Sequence, residues 1–146
     1  MTRRVGDVME TTVKVEWQGK LRFKGTNAYG QSKIIDATDV KGRPAGVTPM
    51  QLLLMALGGC TGIDIVIILR KQRQNLKALT VNVAGHQRSD PPRYYERMHV
   101  EYVLKGSNLD EKKAREAIQL SEEKYCSVRA MLMDKARVTS SHRIEK

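Results

Sequence analysis

The eighteen residues from Leu52 to Leu69 are apolar on nearly every side, and they constrain the fold more than any other segment. Their length approaches that of a membrane span. However, Asp64 near the middle would cost roughly 2.5 to 3.5 kcal/mol in lipid, and three glycines interrupt the run. A helix that is apolar all round needs cover on all sides. We therefore predict a buried central helix, no membrane partner, and a second subunit that supplies part of the cover.

The ends of this helix are marked by its flanking residues. Thr48 offers an N-cap, Pro49 occupies the first helical position, and Gln51 completes a capping box. At the other end, the cations of the segment RKQRQN complement the helix dipole. Together these features predict a helix from Pro49 to about Asn75.

The rest of the chain predicts an α+β fold made of antiparallel sheets, with the helices grouped on one side. Asn108 and Glu111 form a second capping box, which predicts the start of a second, amphipathic helix. The predicted order is a β-hairpin at residues 11–24, a strand at 33–36, a loop at 37–48, the long helix, two strands around 79–83 and 98–104, a helix at 108–126, a short helical piece and a terminal strand at 136–144. We see no internal repeat and predict a single domain, residues 1–146.

The charge of the chain bears on its partners. The formal net charge is +10, but the cations are spread along the sequence and several alternate with acids. This pattern is typical of solvated faces, so we expect no nucleic-acid partner. The basic N-terminus is not followed by an apolar stretch, which excludes a secretory signal and favours a cytoplasmic location.

Two cysteines, Cys60 and Cys126, are the main candidates for chemistry. The sequence has no Gly-x-Ser-x-Gly elbow, no Walker loop and no His-Glu-x-x-His zinc helix. The cysteines are 66 residues apart, a spacing that fits no local zinc pattern, and the three histidines are scattered. We therefore expect no metal site and no cofactor. In a reducing compartment, the two thiols are not expected to form a permanent disulfide.

Glycines surround Cys60 in the segment ALGGCTG. Gly58, Gly59 and Gly62 each weaken a helix by about 1 kcal/mol relative to alanine, so their presence needs a reason. Bare backbone permits either close packing of the helix or the approach of a ligand to the thiol. Asp64 lies one turn beyond Cys60 on the same face, where its charge would repel a thiolate.

Cys126 comes at the end of the amphipathic helix and at the start of the next turn. A thiol at a helix N-terminus or beside a cation has a lowered pKa, and Arg129 follows three residues later. Cys126 is therefore either an activated thiol or a small buried residue that joins two helices.

The segments TPMQLLLMALGGC, which ends at Cys60, and EKYCSV, which contains Cys126, resemble the paired cysteine motifs of a known superfamily. It is the OsmC/Ohr superfamily of thiol-dependent hydroperoxide reductases, and the chain is most similar to its YhfA-type, OsmC-like branch. The resemblance spans nearly the whole chain. It implies an α+β fold built as an intertwined homodimer with long helices at its centre.

The resemblance also implies a chemistry for the two cysteines. Cys60 would attack an organic hydroperoxide and become a sulfenic acid, and Cys126 would condense with it to a disulfide. A dithiol reductant would then restore both thiols. The implied partners are thus a second copy of the chain, a small hydroperoxide and a dithiol.

The chain departs from the family at two supporting positions. Family peroxidases place a glutamate directly after the helix-starting proline, where this chain has Met50 and then Gln51. They also carry an arginine in the upstream loop, where Arg43 is a candidate substitute. Arg43, Gln51 and Asp64 are our candidate supporting residues. The departures leave open a second interpretation, a non-catalytic binding protein or redox sensor that holds a small hydrophobic ligand in the dimer cleft.

Overall fold

The computed structural model describes residues 2–5, 8–37 and 44–146, with side chains described from residue 10 onward. These residues form two compact units, Met1–Leu52 and Leu53–Lys146. The assignment of residues 1–146 to one domain stays a prediction.

The first unit is made of short antiparallel strands. The hairpin and the following strand predicted from the sequence are confirmed, and they form a three-stranded sheet in the order β3-β4-β5. A further hairpin, β1-β2, precedes it and was not predicted, because its four-residue strands are too short to show an apolar alternation. The strands are β1 (Thr2–Val5), β2 (Val8–Thr11), β3 (Val13–Trp17), β4 (Arg22–Asn27) and β5 (Ser32–Asp36).

Helix α1 (Pro49–Lys71) begins with the predicted capping box. The backbone N–H of Gln51 donates to Thr48 Oγ1 at 3.1 Å. The backbone N–H of Thr48 donates in return to Gln51 Oε1 at 3.0 Å. Two of the N–H groups at the start of the helix are thereby satisfied, so the helix begins where the sequence predicts.

The predicted end of α1, near Asn75, is wrong by about one turn. Arg73 takes a φ of 57°, in the left-handed region, and the Gln74 N–H donates to the Leu69 carbonyl at 2.9 Å. This geometry ends the helix at Lys71, so Asn75 already starts a strand. The cations of RKQRQN therefore surround the helix terminus instead of extending the helix.

The second unit contains a three-stranded sheet in the order β6-β7-β8. Its strands are β6 (Asn75–Gln87), β7 (Tyr95–Ser107) and β8 (Arg137–Glu145). β6 and β7 pair antiparallel, as predicted, but β7 and β8 pair parallel, which corrects the expectation of purely antiparallel sheets. A parallel pair needs a long crossover, and the helical segment between β7 and β8 provides it. The fold is α+β with one mixed sheet.

The crossover between β7 and β8 consists of three consecutive helical pieces. They are α2 (Glu111–Leu120), a π-helix (Ser121–Tyr125) and α3 (Ser127–Leu132). The N-cap of α2 is Asp110, whose Oδ1 accepts from the Lys112 N–H at 2.8 Å, and not the predicted Asn108, which has a φ of 51°. The sequence predicted one continuous helix where the chain changes to a π-helix at Ser121.

The glycines near Cys60 bring α1 close to strand β6. A Cβ atom added at Gly58 would lie 3.1 Å from Val83 Cγ2, and one added at Gly62 would lie 3.5 Å from Val81 Cγ2. Around Gly59, by contrast, no atom of the described residues would lie within 4 Å of an added Cβ. Close helix-to-sheet packing therefore accounts for Gly58, while Gly59 leaves open backbone directly before the cysteine.

The buried core of the second unit draws on α1, β7 and α2, and α1 also carries large apolar residues outside this core. Met55, Ile63 and Ile67 are 51%, 64% and 45% exposed. By length and composition α1 could cross a membrane, and only 22% of its most apolar 18-residue window is buried within the chain. The described residues of one chain therefore cover α1 only in part. The largest fully buried side chains are Tyr102, Leu57, Ile65, Leu69, Met98, Leu104, Val100, Thr61 and Ser121.

Candidate thiol site

The two cysteines meet in the second unit. Cys60 lies in the fourth turn of α1, and Cys126 lies between the π-helix and α3. Both are free thiols, and they lie close enough for the Cys60 side chain to raise the pKa of Cys126. Cys60 is half-buried, whereas Cys126 is 4% exposed. The fold thus brings together two thiols that are 66 residues apart in the sequence.

The π-helix determines where Cys126 is placed. The Cys126 N–H donates to the Ser121 carbonyl at 2.7 Å, five residues back, which is the π-helical pattern. Cys126 itself is extended, with φ −72° and ψ 100°, and acts as the N-cap of α3. Its Sγ accepts from the Arg129 N–H at 3.3 Å. The chain therefore turns at Cys126 and presents the thiol to α1.

Burial raises the pKa of the Cys126 thiol to about 11. The hydrogen bond from the Arg129 backbone N–H acts in the opposite direction, while Cys60 and the charge of Asp64 raise the pKa further. Of the two alternatives that the sequence left open for Cys126, the buried residue is the one favoured, because desolvation outweighs the hydrogen bond from Arg129. At neutral pH Cys126 is a protonated thiol that can donate a hydrogen bond to Cys60.

The side chain of Arg129 is directed to other groups. Its Nη1 donates to the Glu122 carbonyl at 2.8 Å and contacts Met133 Sδ at 3.1 Å. The guanidinium therefore links the π-helix to the end of α3. Within the described residues, Arg129 contacts the Cys126 thiol favourably only through its backbone N–H.

Two polar side chains at the start of the π-helix tie it to other elements. Ser121 Oγ donates to Asp64 Oδ2 of α1 at 2.8 Å. The Tyr102 hydroxyl of β7 donates to Glu122 Oε1 at 3.1 Å, and the nearby Thr61 side chain lowers its pKa. Burial of Tyr102 is the largest cause that raises the pKa of its hydroxyl. These bonds anchor the segment that carries Cys126 to both α1 and the sheet.

Sequence reasoning did not single out Ser121, Glu122 or Tyr102 as site residues. One signal was available, since Ser121 falls on the apolar side of the predicted amphipathic helix, where a polar residue needs a partner. The partner is Asp64, which was named as a candidate for a different reason. Nothing in the local sequence indicated the partners of Glu122 and Tyr102, because they are on different elements.

The other candidate supporting residues are placed differently. Gln51 lies in the first unit, and its side-chain oxygen is used in the capping box. Arg43 lies outside the described residues. A role in chemistry for Gln51, Asp64 and Arg43 stays a prediction. Within the described ranges, no group of three or more His, Cys, Asp or Glu side chains could hold a metal ion.

A groove of about 670 Å³ runs along α1 beside the segment that contains Cys60. Its lining is mainly apolar and comes from α1 and β6, with Arg70 and Lys77 among its polar members. Gly59 and Ile63, which flank Cys60 along the helix, both belong to this lining. The groove is therefore an apolar surface that begins next to the thiol site.

The raised pKa of Cys126 predicts a loss of stability at alkaline pH. An unfolded thiol ionises near its ordinary pKa of 9.0, whereas the folded one stays protonated up to about 11. The contribution of Cys126 to the free energy of unfolding is therefore fully present below pH 9 and declines as the pH rises toward 11. Urea unfolding of the reduced protein at several pH values across this window should show a steeper decline for wild type than for Cys126→Ser. Equal slopes would contradict the prediction.

Comparison with known proteins identifies relatives of this chain. Residues 41–141 match the family described as OsmC-like protein. The chain is 34% identical over 131 residues to protein YhfA of Escherichia coli strain K12, which covers 90% of this chain and 96% of the relative.

Solved structures show the same fold. An OsmC-like protein from Mycoplasma pneumoniae superimposes with a TM-score of 0.81 at 12% identity, over 94% of this chain and 98% of that one. The organic hydroperoxide resistance protein OhrB of Bacillus subtilis superimposes with a TM-score of 0.60 at 19% identity, over 90% of this chain and 98% of that one. At these identities the likeness concerns the fold alone.

Proposed function

The chain belongs to the OsmC-like protein family, and from this premise we propose that it is a thiol-dependent peroxidase that reduces organic hydroperoxides. The observation that carries the proposal is the proximity of Cys60 to Cys126, whose pKa the Cys60 side chain raises. A two-cysteine cycle requires that the second sulfur lie within reach of the first. The fold provides this contact between two distant parts of the chain.

In the first step, the sulfur of Cys60 attacks one oxygen of the hydroperoxide. The O–O bond breaks, the attacked oxygen stays on sulfur as a sulfenic acid, and the other oxygen leaves with a proton as an alcohol. Sulfur is oxidised by two electrons and the peroxide is reduced by two. Cys60 is suited to this step because it is half-buried and is preceded by the open backbone of Gly59.

In the second step, Cys126 attacks the sulfur of the Cys60 sulfenic acid. The S–S bond forms, the S–O bond breaks, and the hydroxyl leaves with the proton of Cys126 as water. A dithiol reductant then returns both cysteines to thiols and is itself oxidised to a disulfide. Cys126 suits this later role because it is buried and protonated at neutral pH, and so competes poorly with Cys60 for the peroxide.

The proposal includes a homodimer that works in the cytoplasm. The exposed apolar side chains of α1 and the apolar groove beside them are surfaces that a second copy would cover. A groove lined by aliphatic side chains next to Cys60 would also suit the organic part of a hydroperoxide.

A second candidate function is a binding protein or redox sensor on the same scaffold. The observation that favours it is the groove of about 670 Å³, a volume sufficient for a small hydrophobic ligand. In that case the thiols would not turn over with a hydroperoxide. The two candidates differ in the fate of the thiols and can be separated by one titration.

The titration adds cumene hydroperoxide to the fully reduced wild-type protein. We expect both thiols to disappear at one equivalent of peroxide per chain, together with an intact mass lower by two hydrogen atoms, because the disulfide is intramolecular. Free-thiol assays and mass spectrometry measure both quantities. Two thiols remaining after a stoichiometric addition would exclude the peroxidase and leave the binding protein.

A further inference from the structure

We infer that the hydrogen bond between Ser121 and Asp64 is a positioning device that holds Cys126 against Cys60 for the disulfide-forming step. The inference rests on the proposed function, since it assigns a role in the second step of that cycle. Ser121 and Asp64 are thus positioning residues, and neither is placed as a group that touches the peroxide.

The contacts form a closed ring around the two thiols. Cys60 and Asp64 are one turn apart on α1, and Asp64 Oδ2 accepts from Ser121 Oγ at 2.8 Å. The Ser121 carbonyl accepts from the Cys126 N–H at 2.7 Å, and the Cys126 thiol lies near enough to Cys60 for that side chain to raise its pKa. The same serine therefore holds the Cys126 backbone through its carbonyl and the thiol-bearing helix through its hydroxyl.

The nature of the two residues supports a positioning role. Ser121 is fully buried, at 0% exposure, in a helix face otherwise filled by apolar residues such as Ala117 and Ile118. Its hydroxyl must be hydrogen-bonded there, whereas an alanine would carry no such requirement. The charge of Asp64 opposes ionisation of Cys126, so activation of that thiol does not explain the carboxylate. The carboxylate is explained by its role as the hydrogen-bond acceptor for Ser121.

The hydrogen bond between Ser121 and Asp64 favours the disulfide over the dithiol because it preorganises the dithiol state. In the disulfide, the covalent bond itself restrains the π-helix next to α1. In the dithiol, that restraint comes from noncovalent ties, and losing one allows the segment with Cys126 to move away from Cys60. Because the dithiol state then gains conformational freedom that the disulfide must give up, disulfide formation becomes less favourable.

The test measures this equilibrium directly, without a peroxide. Reduced protein is equilibrated with mixtures of oxidised and reduced dithiothreitol. Two protein thiols lose two electrons and two protons, which pass to the oxidised dithiothreitol, and the ratio of disulfide to dithiol is read after acid quenching and mass analysis. Ser121→Ala and Asp64→Ala each remove the bond from one end. We expect either to lower the equilibrium constant about tenfold, consistent with a hydrogen bond to a charged group.

Two variants serve as matched controls. Asp64→Asn keeps an oxygen that can accept from Ser121 but removes the charge, so its constant should stay within about threefold of wild type. Tyr102→Phe removes the bond from Tyr102 to Glu122 and leaves the Ser121–Asp64 bond intact, so its equilibrium constant should fall less than that of Ser121→Ala. The double variant Ser121→Ala with Asp64→Ala should lose no more than either single variant, because both remove the same bond.

The pH dependence of Cys126 separates positioning from a general loss of structure. Removing the Asp64 charge, by Asn or Ala, should lower the pKa of Cys126, while Ser121→Ala retains the charge. NMR of cysteine labelled with ¹³C at Cβ follows this titration. If Asp64→Asn and Asp64→Ala have the same low equilibrium constant, charge and not position is responsible, and the inference is overturned.

The inference and the proposed function can fail separately. Constants for Ser121→Ala and Asp64→Ala within about twofold of wild type would overturn the positioning role even if peroxide oxidises the protein. Conversely, the expected loss in these variants, in a protein that leaves cumene hydroperoxide unreduced, would support positioning and exclude the peroxidase. A wild-type protein that forms no disulfide with oxidised dithiothreitol would overturn the positioning role.

Discussion

Replacing Cys60 with serine is expected to abolish the consumption of organic hydroperoxides, whereas replacing Cys126 is expected to leave one turnover. The proposed first step is a nucleophilic attack by the sulfur of Cys60, and a serine hydroxyl at neutral pH is a far weaker nucleophile. We expect the loss in Cys60→Ser to be about a thousandfold or more, as is typical when a nucleophile is removed. Cumene hydroperoxide consumption with a dithiol reductant measures the rate.

The Cys126→Ser variant is the matched control, because it removes the second thiol from the same site. Its Cys60 should still be oxidised once, but the sulfenic acid has no partner in the chain and should accumulate. Trapping with dimedone and mass spectrometry should place the adduct on Cys60. An adduct on Cys126 in Cys60→Ser, formed as fast as the adduct in Cys126→Ser, would reverse the proposed roles of the two cysteines.

The different surroundings of the two thiols are the reason to expect this asymmetry. Cys60 lies next to the open backbone of Gly59, whereas Cys126 is 4% exposed and has a pKa raised to about 11. From the sequence alone, Cys126 looked like the thiol with the more activating neighbours. The burial that reverses this interpretation comes from the packing of the π-helix against α1, which no local pattern shows.

The fold was predictable where a single segment carries the information. The capping box of Thr48 and Gln51 fixed the start of α1, and alternating residues located β3, β6 and β7. The parallel pairing of β8 was not predictable, because alternation identifies a strand but not its neighbour or direction. The end of α1 depended on the left-handed conformation of Arg73, which is uncommon for that residue type.

The candidate site, like the fold, was predictable from the sequence only in part. Its two cysteines could be named from the sequence because the flanking motifs resemble a family, and Asp64 because it lies one turn from Cys60. The anchors Ser121, Glu122 and Tyr102 could not, since their roles depend on hydrogen bonds between α1, β7 and the π-helix. The π-helix itself adds one residue to a helical turn, a change that side-chain periodicity over five residues does not resolve.

The second large prediction concerns the proposed homodimer. We expect Ile67→Glu to convert the protein to a monomer at micromolar concentration. Ile67 is 45% exposed on α1 and lines the apolar groove, so the proposed partner would bury it. In a symmetric dimer each substitution counts twice, and desolvating a carboxylate at the interface costs several kcal/mol. We expect the dissociation constant to rise by about a hundredfold or more.

Light scattering and sedimentation measure the mass of the variant against wild type, with Met131→Glu as the control. Met131 is 82% exposed on α3 and is not part of the groove, so this variant adds the same charge and should stay dimeric. Because Cys60 and Cys126 meet within one chain, the monomeric variant should still form its disulfide with oxidised dithiothreitol. A monomeric wild type would contradict the dimer proposal, and a dimeric Ile67→Glu would place the interface away from this groove. Loss of the disulfide in a folded monomer would show that the thiol contact depends on the second copy.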